Sequence, residues 1–226
     1  MPGNASQERL DRIRSHGAEL ILTDPLEGYD HALREARRIA REEPERYVLV
    51  DQYGNAENWR AHYAGTGTEI LQQSLELLGG APDAFVCGVG TGGTLTGVGR
   101  RLRRAKPRIT LGVVVPETFP GIEGLKPLGA QDDIVPEILD AALIDERIPV
   151  RHEQAVEACQ ALARAGLFVG PSSGAFLHAA TELASKRPEL HRIVIPLCDT
   201  GERYGSTGLW RASGAASLGA TSPVQA

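Results

Sequence analysis

A loop rich in glycine and threonine, residues 88–94, carries the most specific chemistry in this sequence. It follows the apolar stretch Ala84 to Cys87, which predicts a strand, and it precedes a helical pattern from Leu95 to Arg104. Backbone N–H groups at a helix start are unpaired and the helix dipole favours negative charge, so the position predicts an anion site. The glycines let the backbone approach a phosphate closely, and the threonine hydroxyls can donate hydrogen bonds to it.

Two kinds of phosphate ligand fit this loop. Gly88, Gly90 and Gly93 satisfy the dinucleotide pattern G-x-G-x-x-G, and Glu117 follows the next predicted strand, where a ribose-binding acid is expected. Hydroxyls interleaved with glycines instead suit a terminal monophosphate, and a nucleotide fold normally places this loop after its first strand. A structural glycine-rich turn without a ligand is the third interpretation.

Two later segments could reach the same ligand. Thr200 lies in the polar run 196–204 after the last apolar strand, and Ser172 precedes a helix predicted over 175–185. Ligands of a parallel sheet bind at the carboxyl ends of its strands, so both segments can converge with the loop on one crevice. Taken singly, the first segment is typical of a polar turn and the second of a helix N-cap that needs no ligand.

Short apolar strands alternate with helical patterns along the chain. Strands are predicted at residues 20–22, 47–50, 84–87, 109–115 and 193–195, and helices at 29–41, 68–78, 95–104, 153–165 and 175–185. This alternation predicts an α/β fold with a parallel twisted sheet and helices on both faces. Residues 116–148 are expected to form a long irregular segment, and the Ala-, Gly- and Ser-rich tail 212–226 is expected to be disordered.

Composition excludes several function classes. The net charge of −5 gives no electrostatic argument for nucleic acid or for an anionic membrane surface as a partner. The three cysteines lack the spacing of zinc ligands or of a disulfide scaffold, so we expect no metal and a reducing cytoplasm. The sequence has no long apolar run and no signal-peptide pattern, so we expect neither a membrane span nor export.

Together these segments resemble the cysteine synthase and cystathionine β-synthase family of fold-type II pyridoxal-phosphate (PLP) enzymes. The match runs in family order from Met1 to about Trp210 and includes Asn55, Asn58 and His62 besides the loop. The resemblance implies an α/β fold like that of the tryptophan synthase β-subunit, incomplete at its amino end. Residues 1–45 would be a remnant of the smaller mobile domain, and residues 46–211 would form the domain that binds the PLP phosphate.

The resemblance also implies roles for individual residues. The PLP phosphate would be cradled by Gly90, Thr91, Gly92, Gly93 and Thr94, and Thr200 would hydrogen-bond the pyridine nitrogen. The substrate side would be lined by Gly121, Ile122, Glu123, Gly124 and Ser172. The implied reaction is β-replacement or β-elimination on an activated serine in amino-acid biosynthesis, as in a cysteine synthase, with a small amino acid as substrate. A hydroxyl at the ring nitrogen, unlike a carboxylate, favours that chemistry.

The sequence departs from the family at the Schiff-base lysine. The family's Ser-x-Lys-x-Arg motif and its substrate-carboxylate loop Thr-Ser-Gly-Asn-Thr-Gly are both absent, and the three lysines are Lys106, Lys126 and Lys186. None has the right context, and Lys106 lies about 18 Å along a helix from Thr94 at about 1.5 Å per residue. We therefore expect at best non-covalent PLP binding and no efficient synthase activity from this chain alone.

Several explanations of this departure stay open. The chain is interpreted as a truncated gene model or gene fragment, as a piece of a split enzyme completed by an amino-terminal polypeptide, or as a lysine-free ligand-binding or regulatory relative. The family is typically a homodimer, which makes a second copy the other expected partner. An exposed sheet edge is also expected where strands are lacking.

Overall fold

The computed structural model describes residues 1–129 and 134–210. Its helices are α1 (Gln7–Ser15), α2 (Gly28–Glu42), α3 (Glu57–Ala64), α4 (Thr66–Leu77), α5 (Gly93–Ala105), α6 (His152–Arg164) and α7 (Pro171–Lys186). Its strands are β1 (Ala84–Gly88), β2 (Thr110–Pro116), β3 (Glu146–Val150) and β4 (Ile193–Val194). Short 3₁₀ helices lie at Pro25–Glu27, Ala141–Leu143 and Gly201–Thr207. The tail expected to be disordered, 212–226, lies outside the described residues.

The strands form one parallel sheet in the order β3-β2-β1-β4. The chain moves across the sheet in one direction from β1 to β3 and then returns past β1 to β4. Because parallel crossovers are right-handed, this reversal places α5 and α7 on opposite faces of the sheet. Helix α3 packs on α5, and α6 packs on α7. The predicted α/β fold with a parallel sheet is confirmed.

The core holds the start of the glycine-rich loop rigidly. Strand β1 lies in the middle of the sheet, and its residues Ala84, Phe85 and Val86 are completely buried. On the two sides of the sheet they pack with apolar residues of α5 and α7, including Leu95, Val98 and Phe176. The loop therefore leaves the carboxyl end of a strand that is fixed on both faces, as expected for a ligand site of a parallel sheet.

Two of the predicted strands are wrong. Residues 20–22 and 47–50 form no strand, and Val48 and Val50 are exposed to 90% and 81%. Apolar β-branched residues favour a strand only where a neighbouring strand supplies hydrogen bonds and packing. No such neighbour lies beside residues 47–50 in the described part of the chain.

Two elements were missed by the sequence prediction. Helix α3 begins at Glu57, directly after a polar loop, and its apolar side is too narrow to give a clear helical pattern. Strand β3 begins at the end of the segment expected to be irregular, 116–148, and its charged residues and Pro149 obscure the strand pattern. Proline is tolerated there because β3 is an edge strand. The proposed domain division near residue 45 stays a prediction.

Two expected absences concern membranes and metals. Across residues 1–129 and 134–210, every helix is too short or too polar to cross a membrane. The same residues contain no cluster of histidine, cysteine and acidic side chains that could hold a metal ion.

Candidate functional site

The loop between β1 and α5 presents unpaired donors. Gly92 is the N-cap of α5, adopts a left-handed backbone with φ of +86° and has no side chain to cap the helix; the Gly93 N–H approaches the Thr91 hydroxyl at 3.4 Å. Among the described residues, none accepts a hydrogen bond from the backbone N–H of Gly92 or Thr94. Free N–H groups and the positive end of the helix dipole therefore meet at the loop, which is the geometry of an anion site.

These donors face a cavity of about 290 Å³, called here the loop cavity. It is lined by the predicted phosphate-binding residues Gly90, Thr91, Gly92, Gly93 and Thr94 and by the predicted substrate-side residues Glu123, Gly124 and Ser172. Phe176, Cys198, Asp199 and Tyr204 complete much of its wall. The structure thus brings together three segments that are far apart in sequence, at the carboxyl end of the sheet.

Three predicted site residues do not line the loop cavity. Gly121 directs its carbonyl oxygen to Nδ1 of His152, at 2.9 Å, and Ile122 is buried in the core. Thr200 pairs with Val169 in an isolated antiparallel bridge, and its side chain is exposed. Their assigned roles remain predictions that this geometry does not favour.

Ser172 is the hydroxyl that the fold directs into the loop cavity. It lies in the first turn of α7, is 7% exposed, and borders the cavity, whereas Thr200 does not. Its neighbour Ser173 accepts a hydrogen bond from the backbone N–H of Cys198 at 3.1 Å, which ties α7 to the segment before Thr200. Read alone, this turn is typical of an N-cap, whereas the family resemblance implied a place on the substrate side; in the structure Ser172 lines the loop cavity.

Helix α3 supports the loop from behind. The Asn58 amide Nδ2 donates to the Thr91 hydroxyl at 3.1 Å and to the Gln52 carbonyl at 2.7 Å. His62 lies between two hydroxyls, with Nδ1 3.0 Å from Thr66 Oγ1 and Nε2 3.4 Å from Thr94 Oγ1. Burial lowers the pKa of His62, so its imidazole is neutral near pH 7. Both residues belong to the motif that carried the family resemblance, but the sequence assigned them no role.

A polar network forms the opposite wall of the loop cavity. Arg9 of α1 binds Glu123 and donates to the Tyr204 hydroxyl at 2.9 Å, and Tyr204 donates to Asp199 at 2.7 Å. Burial raises the pKa of Glu123, an effect that the Arg9 charge and a hydrogen bond from Tyr29 oppose. Tyr204 and Arg9 therefore hold the Oδ2 atom of Asp199, while its Oδ1 atom is buried without a hydrogen-bond partner among the described residues.

None of the three lysines lines the loop cavity. Lys106 binds Asp83 at the far end of α5, and Lys186 is exposed and binds Glu182. Lys126 is closer than the sequence suggested, because its backbone N–H donates to the Val89 carbonyl at 2.7 Å. Its ammonium is directed away, to Asp30 in a neighbouring cavity of about 700 Å³ between α2 and the loop.

The acid required for a dinucleotide site is engaged elsewhere. Glu117 does follow β2 as predicted, but its carboxylate accepts a hydrogen bond from the backbone N–H of His152 at 2.8 Å. It does not line the loop cavity. The geometry therefore favours a monophosphate over a dinucleotide at this loop.

Comparison with known proteins agrees with this geometry. Residues 1–199 match the family described as pyridoxal-phosphate dependent enzymes. The cysteine synthase of Aquifex aeolicus is 44% identical over 215 residues, which cover 93% of this chain and 64% of the Aquifex protein. Cysteine synthase B of Escherichia coli is 37% identical, with coverage of 93% of this chain and 67% of that protein. The chain thus spans about two thirds of the length of these relatives.

Solved structures show the same fold. The O-ureido-L-serine synthase superposes with a TM-score of 0.83 at 33% identity, over 96% of this chain and 69% of that chain. A hydrogen sulfide-producing enzyme from Fusobacterium nucleatum gives a TM-score of 0.82 at 32% identity, over 94% of this chain and 65% of that chain. This chain therefore belongs to the cysteine synthase family of pyridoxal-phosphate-dependent enzymes.

Proposed function

We propose that the loop cavity binds PLP through its phosphate and that the chain is the cofactor-binding part of a cysteine synthase-like enzyme. The reaction would be β-replacement or β-elimination on an activated serine, and the substrate a small amino acid. The observation that carries this proposal is the uncapped start of α5 meeting Ser172 and Asp199 in one cavity. The named relatives support the reaction class, since two of them are cysteine synthases.

The residues present fit a phosphate group. Its oxygens can accept hydrogen bonds from the N–H groups of Gly92 and Thr94 and from the hydroxyls of Thr91 and Thr94. A Cβ atom at Gly90 would lie 2.9 Å from the Gly124 carbonyl oxygen. Only glycine therefore allows the backbone segments at Gly90 and Gly124, which both border the cavity, to approach each other this closely. The loop therefore offers hydrogen-bond donors to an anion, and it leaves no room for a side chain at Gly90.

When bound, PLP supplies the electron sink that stabilises negative charge at the substrate α-carbon. Ser172 can give the ring nitrogen a neutral hydroxyl partner. Asp199 lines the same cavity; its Oδ2 is bound by Tyr204 and Arg9, whereas its Oδ1 is buried without a hydrogen-bond partner among the described residues. Phe176 and Leu125 add apolar surface to the wall of the same cavity. The chain thus orients the ring without protonating it, which suits β-elimination and β-replacement.

The 226-residue chain is not expected to catalyse this reaction efficiently by itself, because no lysine side chain lines the loop cavity. The step that removes the α-proton then lacks its base. We propose that a lysine-bearing amino-terminal polypeptide is the partner that supplies this base. A second copy of the chain, as in a homodimer, carries the same three lysines and would be a structural partner only. Without the lysine-bearing polypeptide, the chain acts as a PLP-binding module. Reduced Cys87 and Cys159, both buried, fit a cytoplasmic location.

Titration of the purified chain with PLP tests the proposal. We expect saturable binding, seen as a change in cofactor absorbance and as a raised melting temperature, and competition by inorganic phosphate. Borohydride treatment followed by peptide mapping should fix no cofactor to the protein. A matched Lys126→Gln variant should bind PLP as the unmodified chain does.

Two results would contradict the proposal, one for the identity of the ligand and one for the role of lysine. Protection by NAD and none by PLP would favour a dinucleotide site. A borohydride-fixed cofactor on a peptide that contains Lys126 would contradict the claim that no lysine of this chain reaches PLP.

Substituting the two candidate hydroxyls tests which one contacts the ring. Ser172→Ala is expected to weaken PLP binding about 5- to 10-fold, because a hydrogen bond of about 0.5–1.5 kcal/mol is lost. Thr200→Ala serves as the matched control and should bind within about 2-fold of the unmodified chain. Equilibrium titration by cofactor fluorescence measures both, and the reverse order would restore Thr200 as the ring partner.

A further inference from the structure

We infer that Asn58 and His62 of α3 are positioning residues that orient the Thr91 and Thr94 hydroxyls as hydrogen-bond donors toward the ligand phosphate. This inference rests on the proposed function, because it concerns the same cradle. A hydroxyl can both donate and accept, so a cradle built from threonines gains selectivity for an anion only if something fixes the direction of each hydrogen. Helix α3 provides that constraint from outside the cavity.

The amide of Asn58 has a determined orientation. Its Nδ2 donates to the Gln52 carbonyl oxygen at 2.7 Å as well as to Thr91 Oγ1 at 3.1 Å. Rotating the amide by half a turn would place Oδ1 against the Gln52 carbonyl, and two acceptors would then face each other. Asn58 is therefore a donor to Thr91.

The Thr91 hydrogen must consequently point elsewhere. The backbone N–H of Gly93 also approaches Thr91 Oγ1, at 3.4 Å, so donors lie on the protein side of this oxygen. Among the residues 1–129 and 134–210, no acceptor is bonded to the Thr91 hydroxyl hydrogen. Since Thr91 lines the loop cavity, its hydrogen is free for a phosphate oxygen there.

His62 imposes the same direction on Thr94 through its tautomer. A neutral imidazole carries one donor and one acceptor nitrogen, and both nitrogens of His62 face hydroxyls. If Thr66 donates to Nδ1, then Nε2–H donates to Thr94, and the Thr94 hydrogen is directed into the cavity. In the other tautomer Nε2 accepts from Thr94 and withdraws that hydrogen from the ligand. A bound phosphate, which only accepts, selects the first tautomer.

The packing leaves little room for other arrangements. A Cβ atom at Gly93 would lie 2.0 Å from Asn58 Oδ1, so α3 contacts the loop without a gap. Both hydroxyls, and the N–H groups of Gly92 and Thr94, are then donors. Pyridoxal, which has a single neutral hydroxyl in place of the phosphate, can accept from fewer of these donors and brings no negative charge to the helix start. The cradle is thereby selective for the phosphorylated form.

The first test measures the tautomer in the unmodified chain. With ¹⁵N-labelled histidine, nitrogen chemical shifts at saturating PLP should identify the Nε2–H tautomer of His62, and His62→Gln removes that signal for assignment. Observation of the Nδ1–H tautomer in the complex would overturn the inference. The tautomer itself is measured in the unmodified chain, and the variant serves only to assign the signal.

The second test compares PLP affinities of matched variants. His62→Leu is expected to weaken binding about 5- to 10-fold, whereas His62→Gln, whose amide can still donate, should stay within about 2-fold. Asn58→Asp, an acceptor of the same shape, should weaken binding at least about 10-fold, because Thr91 would donate to it. Circular dichroism confirms that each variant is folded.

These tests distinguish a failure of the proposed function from a failure of the role inferred for Asn58 and His62. If the unmodified chain binds no PLP, the proposed function fails. If the chain binds PLP but the leucine and aspartate variants bind it equally well, only the role of Asn58 and His62 is refuted.

Discussion

Replacing Gly92 with valine is expected to weaken PLP binding at least about 100-fold, which corresponds to about 2.8 kcal/mol. Gly92 has φ of +86°, where a β-branched residue is strongly strained, and a Cβ atom there would lie 2.9 Å from Cβ of Leu139. The loop would have to leave its position, and the N–H groups of Gly92 and Thr94 would no longer converge on the phosphate. Equilibrium titration with PLP measures the loss.

Gly166→Val is the matched control. Gly166 has nearly the same backbone angle, φ of +89°, but a Cβ atom at this position would have no neighbour within 4 Å, and the residue follows α6 outside the loop cavity. We expect both variants to unfold at a lower temperature, because both place a β-branched residue in the strained left-handed region. Only Gly92→Val should lose PLP affinity. If the Gly92→Val variant kept its affinity for PLP, the phosphate would have to bind outside the loop.

Replacing Gly97 with alanine is expected to lower the free energy of unfolding by about 2 kcal/mol or more, as overpacking typically does. A Cβ atom at Gly97 would lie 2.2 Å from the Trp59 carbonyl oxygen and 2.8 Å from the Tyr63 backbone nitrogen. Both atoms belong to the α3 backbone and cannot rotate away, so α3 would have to move off α5. Because α3 also carries Asn58 and His62, PLP binding should weaken as well.

Gly99→Ala, two residues along the same helix, provides the control. A Cβ atom there would meet only the ends of the Leu111 and Leu143 side chains, at 3.0 Å and 3.3 Å, which can adjust. Alanine also favours a helix over glycine by about 1 kcal/mol, which offsets that contact. Urea denaturation should therefore give Gly99→Ala a stability within about 0.5 kcal/mol of the unmodified chain. Equal stabilities for the two variants would contradict the close packing of α3 on α5.

Local patterns predicted three of the four strands that build the sheet, β1, β2 and β4. The apolar runs at β1 and β2 are buried on both faces, and the adjoining helices have clear periodicity, so each could be identified from its own residues. The runs 20–22 and 47–50 have the same composition but no pairing strand in the described part of the chain. Strand formation depends on a partner that is often distant in sequence, so composition alone could not separate these cases.

The sequence by itself predicted an anion site at the glycine-rich loop and determined the parallel α/β architecture. A glycine- and threonine-rich turn between a buried strand and a helix creates free N–H groups within a few residues, whatever surrounds it. Only the tertiary structure decided that Ser172, and not Thr200, faces the loop cavity, and that the Lys126 ammonium binds Asp30 away from it. The same holds for the contacts of Asn58 and His62 with the loop. These outcomes depend on how helices pack across the sheet, and such packing joins residues that no local pattern connects.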